Sequence, residues 1–231
     1  MLILGIESST AQVGCAIAGH EGVLASAHST RGRRHAESLA PQIDFIRHQA
    51  RIELSEISVV AVDVGPGLYT GLRVGIASAM ALAHGLGVPM IGVASLDLVA
   101  WPVRYTRRLI VAVLDARRGE VFHACYRSVP GGVQRITDYR VTPPDELATD
   151  LAAVGDDCLL VGDGVLRHAD VFSDLRRVEV AERGMAYPNA GSLVQLAHAQ
   201  ALREEFVKPW EIEPLYLRQP DAEINWTTRP S

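Results

Sequence analysis

The sequence lacks the residue pairs that usually mark metal centres and disulfide frameworks. Its three cysteines, Cys15, Cys125 and Cys158, stand far apart, and no Cys-x-x-Cys pair is present. No two of its eight histidines are four residues apart, the spacing at which two side chains share one helix face and can bind one metal ion. These absences exclude a cysteine-based metal or redox motif. Isolated cysteines in apolar runs predict buried free thiols and a reducing compartment.

An excess of positive charge is also absent. The chain has 22 Lys and Arg against 27 Asp and Glu, a formal net charge of -5. This balance argues against a broad nucleic-acid-binding face, and the only compact basic cluster is Arg31, Arg33 and Arg34. Any contact with nucleic acid is therefore expected to need a partner. The sequence opens on the strand-like run 2–6 without a signal-peptide pattern, so we expect a cytoplasmic protein.

One long apolar run, 74–96, has the length of a membrane span and is interrupted only by His84. It contains Gly85, Gly87 and Pro89, and it lacks a flanking basic cluster or aromatic belt. We interpret it as a buried helix followed by a buried strand, and we expect no membrane association.

The apolar pattern predicts two halves with a similar outline. The first half reads as strands at 2–6, 12–18 and 23–28, a helix carrying Leu39, Ile43 and Ile46, a strand at 59–64, a helix at 70–86, a strand at 88–93 and a helix from Ser95. The second reads as strands at 109–114, 120–127 and 133–141, a helix opened by Pro143 and Pro144, a strand at 159–161 and a helix at 189–206. We predict an α/β protein with a duplicated ribonuclease H-like fold, the fold of actin, Hsp70 and sugar kinases (ASKHA), with mixed sheets flanked by helices. The predicted halves are 1–104 and 105–218, followed by a polar tail at 219–231.

The densest motif is Gly65-Pro66-Gly67-Leu68-Tyr69-Thr70-Gly71-Leu72-Arg73-Val74-Gly75, between a strand and a helix. It resembles a phosphate cradle at a helix N-terminus but lacks the lysine and spacing of a P-loop. The favoured interpretation is a tight connection that needs glycine for positive φ or close approach. The competing one is a nucleotide site, with the candidates Glu7, Ser9, Gly65, Gly67, Thr70 and Arg73.

Within the following helix, small residues recur every four positions at Gly71, Gly75, Ala79 and Ala83. A neighbouring apolar stripe carries Leu72, Ile76 and Met80. Apolar or small residues on most of a helix circumference indicate more than one buried side. The sequence leaves open whether the second side packs on the chain's own sheet or on another subunit.

Several segments together resemble the TsaB (YeaZ) family over nearly the whole chain. They are Ile3-Leu4-Gly5-Ile6-Glu7-Ser8-Ser9, Arg34-His35-Ala36-Glu37, the Gly-Pro-Gly block, Asp115-Ala116-Arg117-Arg118-Gly119-Glu120-Val121 and Glu213-Pro214-Leu215-Tyr216-Leu217-Arg218. In the catalytic paralogue TsaD, a His-x-x-x-His metal pair follows the strand that corresponds to 88–93, and here those positions are Ser95 and Val99. The resemblance implies a non-catalytic subunit with no catalytic or metal-binding residues.

The resemblance also implies partners. It implies dimerisation with TsaD and its activation in making threonylcarbamoyladenosine in tRNA beside the anticodon, contact with the ATPase TsaE through that complex, a homodimer when alone, and tRNA binding only within the complex. It implies no intrinsic cofactor, with ATP or ADP at the complex interface left open. The implied interface residues are His35, Leu39, Ile43, Ile46, Gly71, Leu72, Gly75, Ile76, Ala79 and Met80. The alternatives are a glycoprotease-type metallopeptidase, and a small kinase-like ATPase using Glu7 and Asp115.

Overall fold

The computed structural model describes residues 1–30 and 35–218, with His35 described by its backbone alone. The predictions that concern Arg31, Arg33, Arg34, the side chain of His35 and the tail 219–231 lie outside the described residues. The strands are β1 Leu2–Glu7, β2 Val13–Gly19, β3 Gly22–Ser29, β4 Ile57–Gly65, β5 Met90–Ala94, β6 Leu109–Arg117, β7 Glu120–Val129, β8 Gly132–Arg135, β9 Arg140–Thr142, β10 Cys158–Val161 and β11 Val178–Val180. The α-helices are α1 His35–Ala50, α2 Tyr69–Leu86, α3 Ser95–Ala100, α4 Pro144–Val154, α5 Asp163–Arg167, α6 Ala169–Phe172 and α7 Ala190–Ala201.

The first sheet has the strand order β3-β2-β1-β4-β5. Strands β1, β2 and β3 pair antiparallel, whereas β1, β4 and β5 pair parallel. The central strands β1 and β4 are apolar and buried on both faces, as expected of strands covered by helices on each side. Helices α1 and α2 cover one face, and α7 covers the other.

The second sheet repeats this arrangement. Its order is β8-β7-β6-β10-β11, with β6, β7 and β8 antiparallel and β6, β10 and β11 parallel. Strand β9 pairs antiparallel with β7 off this path, and each of the other five strands has a counterpart at the same place in the first sheet. The predicted duplicated ribonuclease H-like fold is confirmed.

The long apolar run forms most of α2 and then β5, as the sequence predicted. Helix α2 ends at Gly87, whose φ of 69° lies in the left-handed region that favours glycine. No helix in residues 1–30 and 35–218 is both long and apolar enough to cross a membrane.

Two predicted elements are wrong in extent. The strand predicted at 133–141 is broken into β8 and β9, because side chains take part in the hydrogen bonds between them. The Thr137 Oγ1 atom accepts from the Cys125 amide at 2.9 Å, and Arg135 Nη1 donates to the Thr137 carbonyl at 2.8 Å. The helix predicted to reach residue 206 ends at Ala201, and Glu204 takes a left-handed φ of 58°.

The predicted second half, 105–218, also needs a correction. Helix α7 returns to the first sheet, where Leu193, Val194 and Ala197 pack against its apolar face. Val207 then pairs with Met90 of the edge strand β5 through two backbone hydrogen bonds of 2.9 Å. The final segment thus completes the core of the first sheet, because that face would otherwise be left open to water.

Candidate functional site

Two acidic side chains lie side by side where the central parallel strands of the first sheet end. Glu7 is the last residue of β1, and Asp63 lies near the end of β4. Ile6 is opposite Val62 in the parallel register, so Glu7 and Asp63 are the next neighbours along it. Both side chains are buried, with relative exposures of 0% and 2%. The carboxyl ends of parallel strands are where ligands bind in open α/β sheets, which makes this pair the first candidate site.

Glu7 is held by the turn that follows it. Its Oε1 accepts hydrogen bonds from the Ser9 amide at 2.7 Å and from Ser9 Oγ at 2.8 Å. Burial raises the pKa of Glu7 well above its ordinary value, and the charge of Asp63 raises it further, while the two Ser9 bonds oppose the shift. Glu7 therefore favours its neutral form in the folded chain.

Asp63 is held by the next turn and by α3. Its Oδ1 accepts from the Gly65 amide at 2.7 Å and from Ser95 Oγ at 2.6 Å. Burial raises the pKa of Asp63 to about 6, although the hydrogen bonds from Ser95 and Gly65 and the nearby Ser9 hydroxyl lower it. Ser95 and Val99, predicted from the family resemblance to stand at the histidine positions of the catalytic paralogue, are both 0% exposed. Ser95 therefore binds Asp63, and Val99 packs in the core.

The Gly-Pro-Gly turn packs on the chain's own backbone. Gly65 has a left-handed φ of 102°, and a Cβ atom at Gly67 would collide with the Ser9 carbonyl. The Leu68 amide donates to that same carbonyl at 2.6 Å. The glycines therefore allow a positive φ at Gly65 and a close approach of two backbone segments at Gly67. The structure supports the interpretation of the motif as a tight connection over that of a phosphate cradle.

The six predicted nucleotide-site residues separate into two groups. Glu7, Ser9, Gly65 and Gly67 come together in and around the two turns, whereas Thr70 and Arg73 are exposed. The Arg73 guanidinium lies 4.1 Å from the centre of the Tyr69 ring, and its Nε donates to Tyr216 Oη at 3.1 Å. Nucleotide binding stays a prediction.

The second half carries a corresponding pair with a different charge balance. Asp115 lies near the end of β6, and its amide donates to Asp163 Oδ1 at 3.0 Å. The Asp115 carboxylate is paired with Arg117 at 3.1 Å and with Arg167 at 3.3 Å. Burial raises the pKa of Asp163 to about 6. Asp115 thus holds in β6 a place similar to that of Glu7 in β1, but it has cationic neighbours.

The predicted interface residues are mostly buried within the chain itself, and their assignment to a partner interface stays a prediction. A Cβ at Gly75 would collide with Ser8 Oγ, and that hydroxyl donates to the Gly71 carbonyl at 2.8 Å. The small-residue face of α2 therefore packs on the chain's own β1 turn. The buried residues are Leu39, Ile43, Ile46, Gly71, Leu72, Gly75, Ile76 and Ala79, whereas Met80 is partly buried.

A different surface of the same two helices is exposed. A groove of about 290 Å³, here called the α1/α2 groove, is lined by Ala36, Leu39, Ala40, Ile43, Asp44, Arg47, Leu54, Ser78 and Leu82. Phe45 lies on α1 with 55% of its surface exposed. Only the edges of Leu39 and Ile43 reach this groove, since both side chains are largely in the core.

Sequence reasoning missed Asp63 and the side of α2 that faces away from the core, where Ala77 and Ala81 are exposed and Val74 and Ser78 are half-buried. An acid inside the apolar run 59–64 was the available signal for Asp63, because a buried strand seldom carries a charge without a partner. Val74, Ala77, Ser78 and Ala81 repeat the spacing of the buried face, so periodicity alone could not separate the two faces of α2.

Known proteins share this sequence and this architecture. Residues 23–226 match the family model described as TsaD, tRNA N6-adenosine threonylcarbamoyltransferase. An uncharacterized protein of Mycobacterium leprae is 35% identical over 225 residues, which are 96% of this chain and 56% of that protein. The chain thus spans about half the length of that relative. The tRNA threonylcarbamoyladenosine biosynthesis protein TsaB of Haemophilus influenzae is 27% identical over 100% of this chain and 98% of its own length. The chain belongs to the TsaB (YeaZ) family.

A solved structure from this family agrees with the fold. YeaZ from Pseudomonas aeruginosa superimposes with a TM-score of 0.82 at 26% identity, covering 94% of this chain and 99% of that one. The predicted family is therefore confirmed. The TsaB fold here keeps the paired sheets and places Ser95 and Val99 in its interior.

Proposed function

We propose that the chain is a non-catalytic subunit that dimerises with a TsaD-type threonylcarbamoyltransferase and activates it in making threonylcarbamoyladenosine in tRNA. Relatives matched over their full length are named for this biosynthesis, and the matching family model describes the transferase. The proposal includes contact with a TsaE-type ATPase through the complex, self-association when TsaD is absent, and contact with tRNA only within the complex.

The interior positions of Ser95 and Val99 support a non-catalytic role. A metal-dependent transferase or peptidase needs ligating side chains that face an open coordination position. Here Ser95 is bonded to Asp63 and Val99 is 0% exposed. Within the part of the chain that the structure describes, no group of three or more His, Cys, Asp or Glu residues is arranged to hold a metal ion. These features favour a partner over a glycoprotease-type metallopeptidase.

The α1/α2 groove is the observation that carries the proposal. Ala36 and Ala40 of α1 line the groove and are exposed, and their short side chains let another backbone approach closely. The rim is polar, with Arg47 paired to Asp44 at 2.9 Å and to Glu53 at 3.3 Å. An apolar groove with a polar rim is typical of a protein-interaction surface, and a groove between two helices suits packing against a helix of a partner.

The test is co-purification with the TsaD-type protein of the same organism, using Ala40→Arg. Arginine is a good helix former, so the substitution should leave α1 folded while filling the groove with a charged side chain. We expect association to weaken by at least about tenfold, which corresponds to about 1.4 kcal/mol, and tRNA modification by the mixture to fall accordingly. Ala152→Arg, at an exposed position of α4, is the matched control and should bind normally.

Two results would contradict the proposal. Transfer of a threonylcarbamoyl group to tRNA by this chain alone would make it an enzyme. Unchanged association and modification with Ala40→Arg, at protein concentrations near the dissociation constant, would remove the groove as the contact surface. The family's place in the pathway would then need a different surface.

A further inference from the structure

We propose that Glu7 and Asp63 share one proton, so that an acid–carboxylate hydrogen bond fastens β1 to β4 beneath the Gly-Pro-Gly turn. The starting observation is a pair of unsatisfied atoms. Glu7 Oε2 and Asp63 Oδ2 are both buried, and neither has a hydrogen-bond partner. Buried carboxyl oxygens without a donor are costly, so two of them on neighbouring strands require an explanation.

The strand register brings the two carboxyls together. Glu7 and Asp63 follow the parallel pair Ile6 and Val62, and adjacent strands lie about 4.8 Å apart with paired residues on one face. Their other oxygens are already occupied, Oε1 of Glu7 by Ser9 and Oδ1 of Asp63 by Gly65 and Ser95. One proton between the two remaining oxygens would satisfy both at once.

The surroundings favour a proton over two negative charges. Within the described residues, no arginine, lysine or histidine is ion-paired with either carboxyl, and the further charges that act on them are acidic. Asp163 of α5 acts on Glu7, and Asp97 of α3 acts on Asp63. Two carboxylates cannot both stay ionised in a dry, uncompensated position, so one of them keeps its proton. The raised pKa of Glu7 and the pKa of about 6 for Asp63 agree with this arrangement.

The pair controls the point where α2 begins. The Ser9 carbonyl accepts from the Leu68 amide, and Ser8 Oγ donates to the Gly71 carbonyl, so the turn after Glu7 holds the first residues of α2. Loss of the shared proton would leave two repelling charges below this junction. The proton thus links the packing of α2 to pH.

The sign of the pH dependence follows from the direction of the shifts. The folded chain keeps a proton that the unfolded chain releases at the ordinary carboxyl pKa. The stability contributed by this proton is complete below that pKa, and it is lost as the pH rises toward the folded pair's own pKa. The melting temperature of the full chain should therefore fall by about 3–5 °C per pH unit through this range, on account of the pair alone.

The experiment is thermal unfolding of the full chain between pH 5.5 and 8.5 in wild type, Glu7→Gln and Asp63→Asn. Each amide keeps the accepting oxygen and offers a permanent donor to the other carboxyl, so each single variant should fold and should lose the pair's slope. The double variant places two amide groups against each other with no acceptor, and it should melt lower than either single variant. Glu182→Gln, at an exposed position, should keep the wild-type slope.

Three results would overturn the proposal. The first is a wild-type slope retained in both single variants. The second is a double variant as stable as the singles, which would mean that the two side chains do not interact. The third is a rise of the wild-type melting temperature with Mg²⁺, absent in Glu7→Gln, which would assign the two free oxygens to a cation instead.

Discussion

At the scale of single residues, the same acidic position has two different environments in the two halves. Asp115 neutralises its charge with Arg117 and Arg167, at the partly exposed end of β6. Glu7 has no such cation among the described residues, and its Oε1 accepts hydrogen bonds from the Ser9 amide and hydroxyl. The sequence offers both acids as candidate site residues, because both follow the first apolar strand of a half. It could not predict that Glu7 is buried beside Asp63, because that contact forms only when β1 and β4 pair.

Gly75 shows a similar limit of sequence reasoning. Its spacing with Gly71 and Ala79 correctly indicates a face in close contact, but the contact is Ser8 of the same chain. Periodicity reports that a face is buried and does not report what buries it.

Gly75→Leu should therefore destabilise the chain itself. Overpacking of a filled position costs about 1–3 kcal/mol, and the lost approach of Ser8 to the Gly71 carbonyl adds to this. Urea unfolding at low protein concentration should show a lower free energy of unfolding. Ala77→Leu, on the exposed side of α2, should change it little. If the Gly75→Leu chain were as stable as wild type and lost only its association with another subunit, the small-residue face of α2 would instead be a partner interface.

At the scale of elements, local patterns predicted most helices and strands, while long-range contacts decided their ends and positions. The repeat of three antiparallel strands followed by helix-linked parallel strands is visible in the sequence because each element has its own apolar period. The break between β8 and β9 is not visible in the sequence. It depends on the hydrogen bond that Thr137 accepts from Cys125 across the hairpin and on the one it accepts from Arg135. The return of α7 to the first sheet depends on which apolar face remained uncovered.

The start of α7 gives a prediction at this scale. Asn189 Oδ1 accepts from the Ser192 amide at 2.8 Å, which satisfies one of the free amides of the first turn. Asn189→Ala should lower the free energy of unfolding by about 1 kcal/mol. Asn189→Asp keeps the acceptor and should stay close to wild type in the same urea titration. Equal losses in the two variants would show that the cap contributes nothing and that another role of Asn189 matters.

At the scale of the whole molecule, α3 joins the two halves. Leu98 packs in the core of the first sheet, whereas Leu96 and Val99 pack in the core of the second. Ser95 ties the start of the helix to Asp63 of β4. The two positions predicted to correspond to the histidine pair of the catalytic paralogue thus lie in this joint. Histidines introduced at Ser95 and Val99 would overpack fully buried positions, so no simple substitution should create a metal site here.

Asp97 is the polar centre of the same joint. Its Oδ1 accepts from Tyr126 Oη at 2.7 Å, and both of its oxygens lie 3.0 Å from Tyr139 Oη. Burial raises the pKa of Asp97, and the two tyrosine hydroxyls oppose that shift. Among the described residues, the hydrogen bonds to the Asp97 carboxylate come from side chains of the second half, so this group fixes how that half sits on α3.

Tyr126→Phe should expose the strength of this connection. Removal of a hydrogen bond to a buried carboxylate costs about 1.5–3 kcal/mol, and the free energy of unfolding should fall by that amount at pH 7. Tyr105→Phe is the matched control, because Tyr105 is 83% exposed and the change in the free energy of unfolding should be near zero.

In an Asp97→Asn background the same Tyr126→Phe change should cost less free energy of unfolding, since the acceptor is no longer charged. A double-mutant cycle with no coupling between residues 97 and 126 would mean that this hydrogen bond does not help to join the halves. A coupling of the expected size would instead make the Asp97 carboxylate the specific contact that orients one half of the fold on the other.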